Sequence, residues 1–321
     1  MSQSLVVLYS IGGTCACISL IASIHLLAQH FWHFSKPDYQ MYICRIILMV
    51  PVYGITSWIS MLYPANRAFF NIFRDCYEAF VLYSFTMLLM NYVGGERKLI
   101  ISLELKDRIS HPWPFNWFFK SFTPGSMFIR LVKAGTLQFV LFRPLSSALT
   151  LLFEFYGIYH ENAYNYEDAF LYLFALNNVS FSLALYGLLL FYVSTEEMLE
   201  PYKPLPKFLC IKIVIFFSFW QGILINILQQ LGFINETVGL KPEEVAITLQ
   251  EFLICIEMLI AAFAHMFAFG YEEYTSEVNP VFLPIKSSVA SGFKSVFLAE
   301  DVIKEVKDSI NPVPYDFELH N

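Results

Sequence analysis

Five polar side chains stand where an apolar sequence has no ordinary use for them. Arg143 and Glu257 lie near the middle of long, mostly apolar runs, and Glu78, Asn177 and Gln221 fall at similar depth in three others. A charge at the centre of a helix in lipid costs about 2.5–3.5 kcal/mol on insertion scales, so each requires a partner, a cavity or a route to water. Two chemistries fit. In one, Arg143 supplies the positive field for an anionic solute, Glu257 and Glu78 balance it or exchange protons, and Asn177 and Gln221 hydrogen-bond the bound molecule. In the other, Arg143 pairs permanently with Glu257 or Glu78 and the amides clamp helices together. Pro144, next to Arg143, adds a missing backbone donor and a freed carbonyl where a cavity can open.

The elements that must position these groups are read from composition. The 321 residues are 57% hydrophobic and only 15% charged, where a soluble domain carries nearer to about 25% charge. The excess must face lipid. Seven runs result: Leu5 to Phe31, Met41 to Leu62, Phe69 to Val93, Leu131 to Gly157, Ala169 to Val193, Phe208 to Leu231 and Val245 to Phe269. Each reaches the roughly 20 residues that a helix needs to cross about 30 Å of hydrocarbon. The prediction is an all-α membrane protein, a bundle of seven transmembrane helices over residues 1–274. Residues 275–321 form a tail, in which Val289, Phe293, Val296, Phe297, Ile303, Val306 and Ile310 recur at helical spacing. An amphipathic helix docked against the cytoplasmic loops is expected there.

Lys36, Arg97, Lys98, Lys106, Arg108, Lys120, Arg130, Lys133, Lys203, Lys207, Lys212 and the basic residues of the tail fall on one side of this arrangement, and only Arg67, Arg74 and Lys241 on or near the other. The positive-inside rule makes that side cytoplasmic, with the N-terminus outside. The sequon Asn235-Glu236-Thr237 then falls in an outer loop, so Asn235 is the candidate glycosylation site. The first run lacks a basic n-region and is kept as a true span. A net charge of −7 offers no surface for a nucleic acid.

Other charged groups have plainer readings. Arg74 and Glu78 are spaced for a local i,i+4 pair. Arg45 lies near the inner end of its run and is expected to snorkel. Glu154 and Asp168, beside His160 and Glu161, read as solvated. His25, His30, His33 and His265 lie near inner helix ends, but an i+5 step turns about 140° around a helix, so His25 and His30 share no face. They read as interfacial, with no metal site. The six cysteines lack CxxC spacing and read as packing residues. The last run holds no lysine for a retinal Schiff base, and no P-loop is present. No catalytic residues and no cofactor are assigned.

Longer strings carry a resemblance. Arg74-Asp75-Cys76-Tyr77-Glu78-Ala79-Phe80 with Tyr92-Val93-Gly94-Gly95-Glu96, then Leu137-Gln138-Phe139 with Arg143-Pro144, resemble the organic solute transporter alpha and transmembrane protein 184 family. Ser182-Leu183-Ala184-Leu185-Tyr186, Phe216-Phe217-Ser218-Phe219-Trp220-Gln221-Gly222, and Gln250-Glu251-Phe252-Leu253-Ile254-Cys255-Ile256-Glu257-Met258 follow in the same order. The chain looks closer to the transmembrane protein 184 branch, and the likeness covers roughly residues 41–274. It departs at His111-Pro112-Trp113-Pro114-Phe115-Asn116-Trp117-Phe118-Phe119, which has no cysteine cluster and whose aromatics suit the headgroup level instead. The resemblance implies a seven-span facilitative carrier of amphipathic organic anions or lipid-like solutes. Its implied partners are membrane lipids, the amphipathic solute, and a homo-oligomer or a small single-span protein. The alternative is a non-transporting scaffold or regulator that works through residues 94–133 and the tail.

Overall fold

The computed structural model describes residues 3–160, 165–234, 241–275, 296 and 300–310. Every apolar run falls on a helix. In chain order these are α1 (Gln3–Trp32), α2 (Pro37–Ile47), α3 (Met49–Leu62), α4 (Arg67–Tyr92), α5 (Glu96–Glu104), α6 (Ser126–Phe155), α7 (Ala169–Leu199), α8 (Pro204–Gln230), α9 (Pro242–Ala268) and α10 (Glu300–Ile310). Among the described residues there is no strand, only one isolated bridge between Ile109 and Phe122. Five stretches are long and apolar enough to cross a membrane: Leu5–Trp32, Pro37–Leu62, Ser126–Phe155, Ala169–Tyr202 and Glu244–Tyr274. Helices α4 and α8 match them in length, with 26 and 27 residues. Helix α4 differs in carrying Arg67, Arg74, Asp75 and Glu78 in its first half.

The run from Met41 to Leu62 is two helices rather than one. Pro51 has no N–H to give the carbonyl of Ile47, and its ring crowds that carbonyl, so the ladder breaks within the preceding turn. Leu48 stands between the segments and bridges them, its N–H on Cys44 O at 3.1 Å and its carbonyl accepting from Val52 N at 3.2 Å. The break re-aims the two halves: Arg45 on α2 and Tyr53 on α3 meet different neighbours. At the end of α4, Gly94 and Gly95 take φ of +95° and +86° and return their N–H groups to Asn91 O and Met90 O. This left-handed closure admits glycine without strain.

The helices stand in an irregular row. Helix α7 lies along α6, α6 on α4, and α4 on α2 and α3; α9 fits between α1 and α3 and carries α8 on its other side. Ile43, Ile46, Ile47, Met49 and Val50 meet Val81, Phe85, Leu88 and Leu89 of α4 in the core, with Ile254 and Met258 of α9. Lipid tails are as apolar as these residues, so cohesion rests on close packing, and small residues mark the crossings. Gly54 is such a point. A Cβ there would lie 3.2 Å from Ser19 Oγ and 3.6 Å from Met258 Cβ, and the Cys255 thiol reaches the Gly54 carbonyl at 3.9 Å.

The end of the bundle that carries α5 also holds α10 and residues 105–125. That segment folds back along α7: Lys106 binds Glu197 at 3.0 Å, and His111 Nδ1 meets the Tyr186 hydroxyl at 2.5 Å, eleven residues further along the helix. Trp113, Trp117 and Phe118 project from it, each more than 70% exposed. The expected tail helix exists as α10, with Val296 buried beside it. Its expected earlier turns, at Val289, Phe293 and Phe297, and the sequon at Asn235 lie outside the described residues. Asp168 is not simply solvated. It caps α7 by accepting from Phe170 N at 2.9 Å, and it takes a second bond from the His160 ring at 2.7 Å.

Two outcomes test this packing. Gly54→Leu should destabilise the detergent-purified protein by about 1–3 kcal/mol, the usual penalty of overpacking, read as a lowered melting temperature. The second concerns Asp168, whose carboxyl is held below the usual carboxylate range by the Phe170 N–H, against a smaller opposing desolvation, and then by His160. A depressed folded-state pKa means that the cap stabilises at neutral pH and loses its effect as the pH falls through that lowered value. The melting advantage of wild type over Asp168→Ala should therefore be full near neutrality and fade in acid below the usual carboxylate range.

Candidate functional site

Helix α4 brings its charges to three neighbours at once. Arg74 Nη1 donates to Glu251 Oε2 of α9 at 3.0 Å and to Ser57 Oγ of α3 at 3.0 Å, while Nη2 donates to Asn71 Oδ1 at 2.6 Å. Arg67 Nε lies 3.8 Å from Glu251 Oε1. Glu251 is 1% exposed, so one buried carboxylate ties two arginines of α4 across the bundle. The expected local pair of Arg74 with Glu78 is not formed. Glu78 instead accepts from the Tyr53 hydroxyl at 3.2 Å, and the Arg74 guanidinium sits 5.8 Å from the centre of the same Tyr53 ring. A bidentate carboxylate on a facing helix outcompetes an i,i+4 neighbour, which is worth only about 0.2–0.5 kcal/mol.

Arg143 of α6 also has a partner that the sequence does not suggest. Its Nη2 lies 2.9 Å from Asp75 Oδ1, with the two side chains 21% and 30% exposed. Glu78 and Tyr53 lie within its electrostatic reach. Glu257 sits six residues beyond Glu251, about 240° around α9 and about 9 Å further along it, so it belongs to another face and level. Arg67, Arg74 and Arg143 are thus matched in number by Asp75, Glu78 and Glu251, all drawn from α4, α6 and α9.

The predicted amides lie on the flanks of this group. Asn177 Nδ2 of α7 donates to Ser146 Oγ of α6 at 2.7 Å, one turn beyond Arg143. Gln138 and Ser180 join the same two helices by a reciprocal pair of bonds at 2.8 Å. On the other flank, Gln221 of α8 precedes Gly222, which abuts Gln250, the residue before Glu251. Three of the five predicted residues also hold a buried polar atom without a hydrogen-bond partner among the described residues: Arg143 Nε, Asn177 Oδ1 and Gln221 Nε2. Ser60, Tyr83, Ser84 and His265 carry further atoms of this kind elsewhere in the bundle.

A second charged group lies toward the α5 end. Arg45 does not snorkel. It is 1% exposed, its Nη1 and Nη2 grip Asp301 of α10 at 2.8 and 2.9 Å, and its Nε donates to Val296 O at 3.0 Å. Lys133 of α6 bridges Glu96 at 2.8 Å and Glu305 of α10 at 2.6 Å. His30 and His265 are not interfacial either, being 0% and 1% exposed. The ring of His30 donates to Phe269 O at 2.9 Å, and Gln40 Nε2 donates to His33 O at 2.8 Å and His30 O at 3.2 Å, contacts that tie α1 to α2 and to the end of α9. Among the described residues no three His, Cys, Asp or Glu side chains converge as a metal ion would require.

Asp75 and Glu251 are the site residues that sequence reasoning misses. Both are visible as carboxylates within or beside apolar runs, yet each figures in the sequence only as one letter of a longer motif.

Removing one member of the Arg74–Glu251 pair leaves a buried charge without its partner, at a cost of about 3–5 kcal/mol. Glu251→Leu should therefore lower the melting temperature sharply. The double variant Arg74→Leu/Glu251→Leu should melt above either single one.

No solved structure matches the chain. The organic solute transporter Ostalpha family matches it over residues 8–274. That stretch contains the whole charged layer, from Tyr53 to Glu251, and it leaves α10 outside. With five helices fit to cross a bilayer, the chain is an integral membrane protein. Its family is one of transporters rather than enzymes, and the chain belongs to the organic solute transporter Ostalpha family.

Proposed function

We propose that the protein is a facilitative carrier of amphipathic organic anions or lipid-like solutes, in which α4 and α8 complete a bundle of seven spans. In this reading the α5 end is cytoplasmic and the N-terminus lies outside, as the distribution of Lys and Arg requires. The observation that carries the proposal is the state of Arg143. Its guanidinium is bonded to one carboxylate that is itself 30% exposed, while its Nε is buried without an acceptor among the described residues. A guanidinium has five donors in a fixed fork and cannot be neutralised, so it keeps capacity for an incoming anion.

The layer as a whole is close to neutral, which keeps it tolerable in lipid. An anionic solute therefore binds by exchange: its head replaces Asp75 at Arg143, and Asp75 turns to water. Glu78, held by Tyr53, limits how far the local charge can swing. Asn177 Oδ1, on the neighbouring α7, offers an acceptor beside Arg143, while Gln221 on α8 and Glu257 on α9 mark further polar points of the path. Nothing in this scheme uses a nucleotide or an ion gradient, so flux follows the solute gradient.

Two substitutions separate this carrier from a scaffold. In liposomes with purified protein and a panel of steroid sulfates, Arg143→Gln should cut initial uptake at least tenfold while preserving the melting temperature to within a few degrees. Asp75→Asn, which removes the competing carboxylate, should lower the half-saturating solute concentration. A wild-type protein that moves no member of the panel would favour the scaffold, and an Arg143→Gln protein with unchanged uptake would remove the central site.

A further inference from the structure

We infer that Arg45, Lys133 and Tyr83 form a second anion-binding site, built for a sulfate or phosphate monoester headgroup, and that α10 keeps it closed by filling it with its own carboxylates. The site lies in the groove between α2, α4 and α6. Its floor is aromatic: the Arg45 guanidinium sits 5.0 Å from the centre of the Phe80 ring and 5.5 Å from that of Tyr42. Tyr77 fixes the backbone beneath by donating to Arg45 O at 2.7 Å.

The way the groove is filled points to a surrogate ligand. Arg45 is a fully buried cation of α2, and the carboxylate that grips it comes from the tail, with two oxygens matched to two guanidinium nitrogens. Bidentate geometry of this kind is how arginine also takes sulfate and phosphate. One turn along α10, Glu305 occupies Lys133. Residues i and i+4 stand about 6 Å apart on a helix, so the two cations face the same strip of α10. Helix α10 is not among the helix pairs whose backbones pack closely, and side chains do most of the holding.

The fit is incomplete at one atom. Tyr83 is 2% exposed, and its hydroxyl has no hydrogen-bond partner among the described residues, although Asp301, Tyr42 and Glu305 are its main electrostatic neighbours. The two Asp301 oxygens are seated on the Arg45 nitrogens, and the tail leaves the Tyr83 hydroxyl without a bond although each of its carboxylate oxygens has lone pairs to spare. A tetrahedral headgroup has three or four. It can serve Arg45 and Lys133 with two of them and direct a third at Tyr83, which the tail carboxylates leave unbonded.

Position suggests what such a ligand is for. Lys133 and Arg143 are ten residues apart on α6, about 15 Å, and Tyr83 and Asp75 are eight apart on α4, about 12 Å. The two sites therefore lie one above the other along the same pair of helices. Resting on the carrier reading, the closed site is the cytoplasmic station of the path, and departure of α10 opens it to amphipaths from the inner leaflet.

Binding can be tested without transport, using the full chain in dodecyl maltoside micelles and dodecyl phosphate as the probe. Asp301→Asn/Glu305→Gln neutralises the surrogate without shortening the tail, and it should bind dodecyl phosphate at least tenfold more tightly than wild type by calorimetry. Adding Tyr83→Phe, a change that keeps the ring, should reverse a threefold or larger part of the gain. Adding Lys133→Gln should reverse most of it. Equal affinity in wild type and the double variant, or a gain indifferent to both Tyr83→Phe and Lys133→Gln, would overturn the site. Uptake is measured separately and bears on the carrier alone. A chain that gains dodecyl phosphate affinity as stated but moves no solute into liposomes upholds the site and removes the carrier, and the reverse pattern removes the site alone.

Discussion

Ion pairing in an apolar medium is the constraint on which the arrangement depends. An unpaired charge on a lipid-embedded helix is costly, and the helices of this bundle are rotated so that four arginines meet carboxylates from other elements, while the buried Lys207 donates to the Tyr92 hydroxyl and Tyr202 O. Glu251 on α9 reaches Arg74 and Arg67 on α4; Asp75 on α4 reaches Arg143 on α6; Asp301 on α10 reaches Arg45 on α2. These pairs set helix rotation, which van der Waals packing of Leu, Ile and Phe against equally apolar lipid specifies weakly. The broken span follows the same logic. On either side of the interruption at Leu48, Arg45 faces the tail and Tyr53 and Ser57 face α4.

Much of this is legible in the sequence, and what is not has a common cause. The helices are legible because apolar length is a local property, and each run between Leu5 and Phe269 is helical. Counting residues along a helix places Asn177 near the level of Arg143, and its Ser146 contact is one turn from Arg143. Partner choice is not legible. Arg74 and Glu78 satisfy an i,i+4 rule but lie on different contacts, because Glu251 offers two oxygens and fuller desolvation from across the bundle. Arg45 has the sequence position of a snorkelling residue for the same reason. Periodicity carries no information about a tail more than two hundred residues downstream that comes back to cover it.

The histidines show the limit from the other side. Spacing alone separates His25 from His30, but it cannot show that His30 is sealed by the carbonyl of Phe269 and the amide of Gln40. A buried imidazole that donates to the carbonyl ending another helix is held in one orientation. It serves as a joint between the first and last long helices rather than as an interfacial group.

The two charged levels differ in a way that follows from covalent attachment. In the level of Arg143 every partner sits on a long helix, so an exchange there must be driven by a molecule strong enough to displace Asp75 locally. At Arg45 and Lys133 the displaced group belongs to an eleven-residue helix held by a handful of side chains, and its departure is a motion of one element rather than of the bundle. A carboxylate tethered to the same chain competes at high effective concentration, so neutral amides at 301 and 305 act on occupancy more than on folding. Were α10 instead a permanent brace, its removal from Arg45 would leave a buried cation and loosen α2 against α4. The fold thus separates a level where a pair is exchanged locally between fixed long helices from one where it is surrendered by the movement of a single short element.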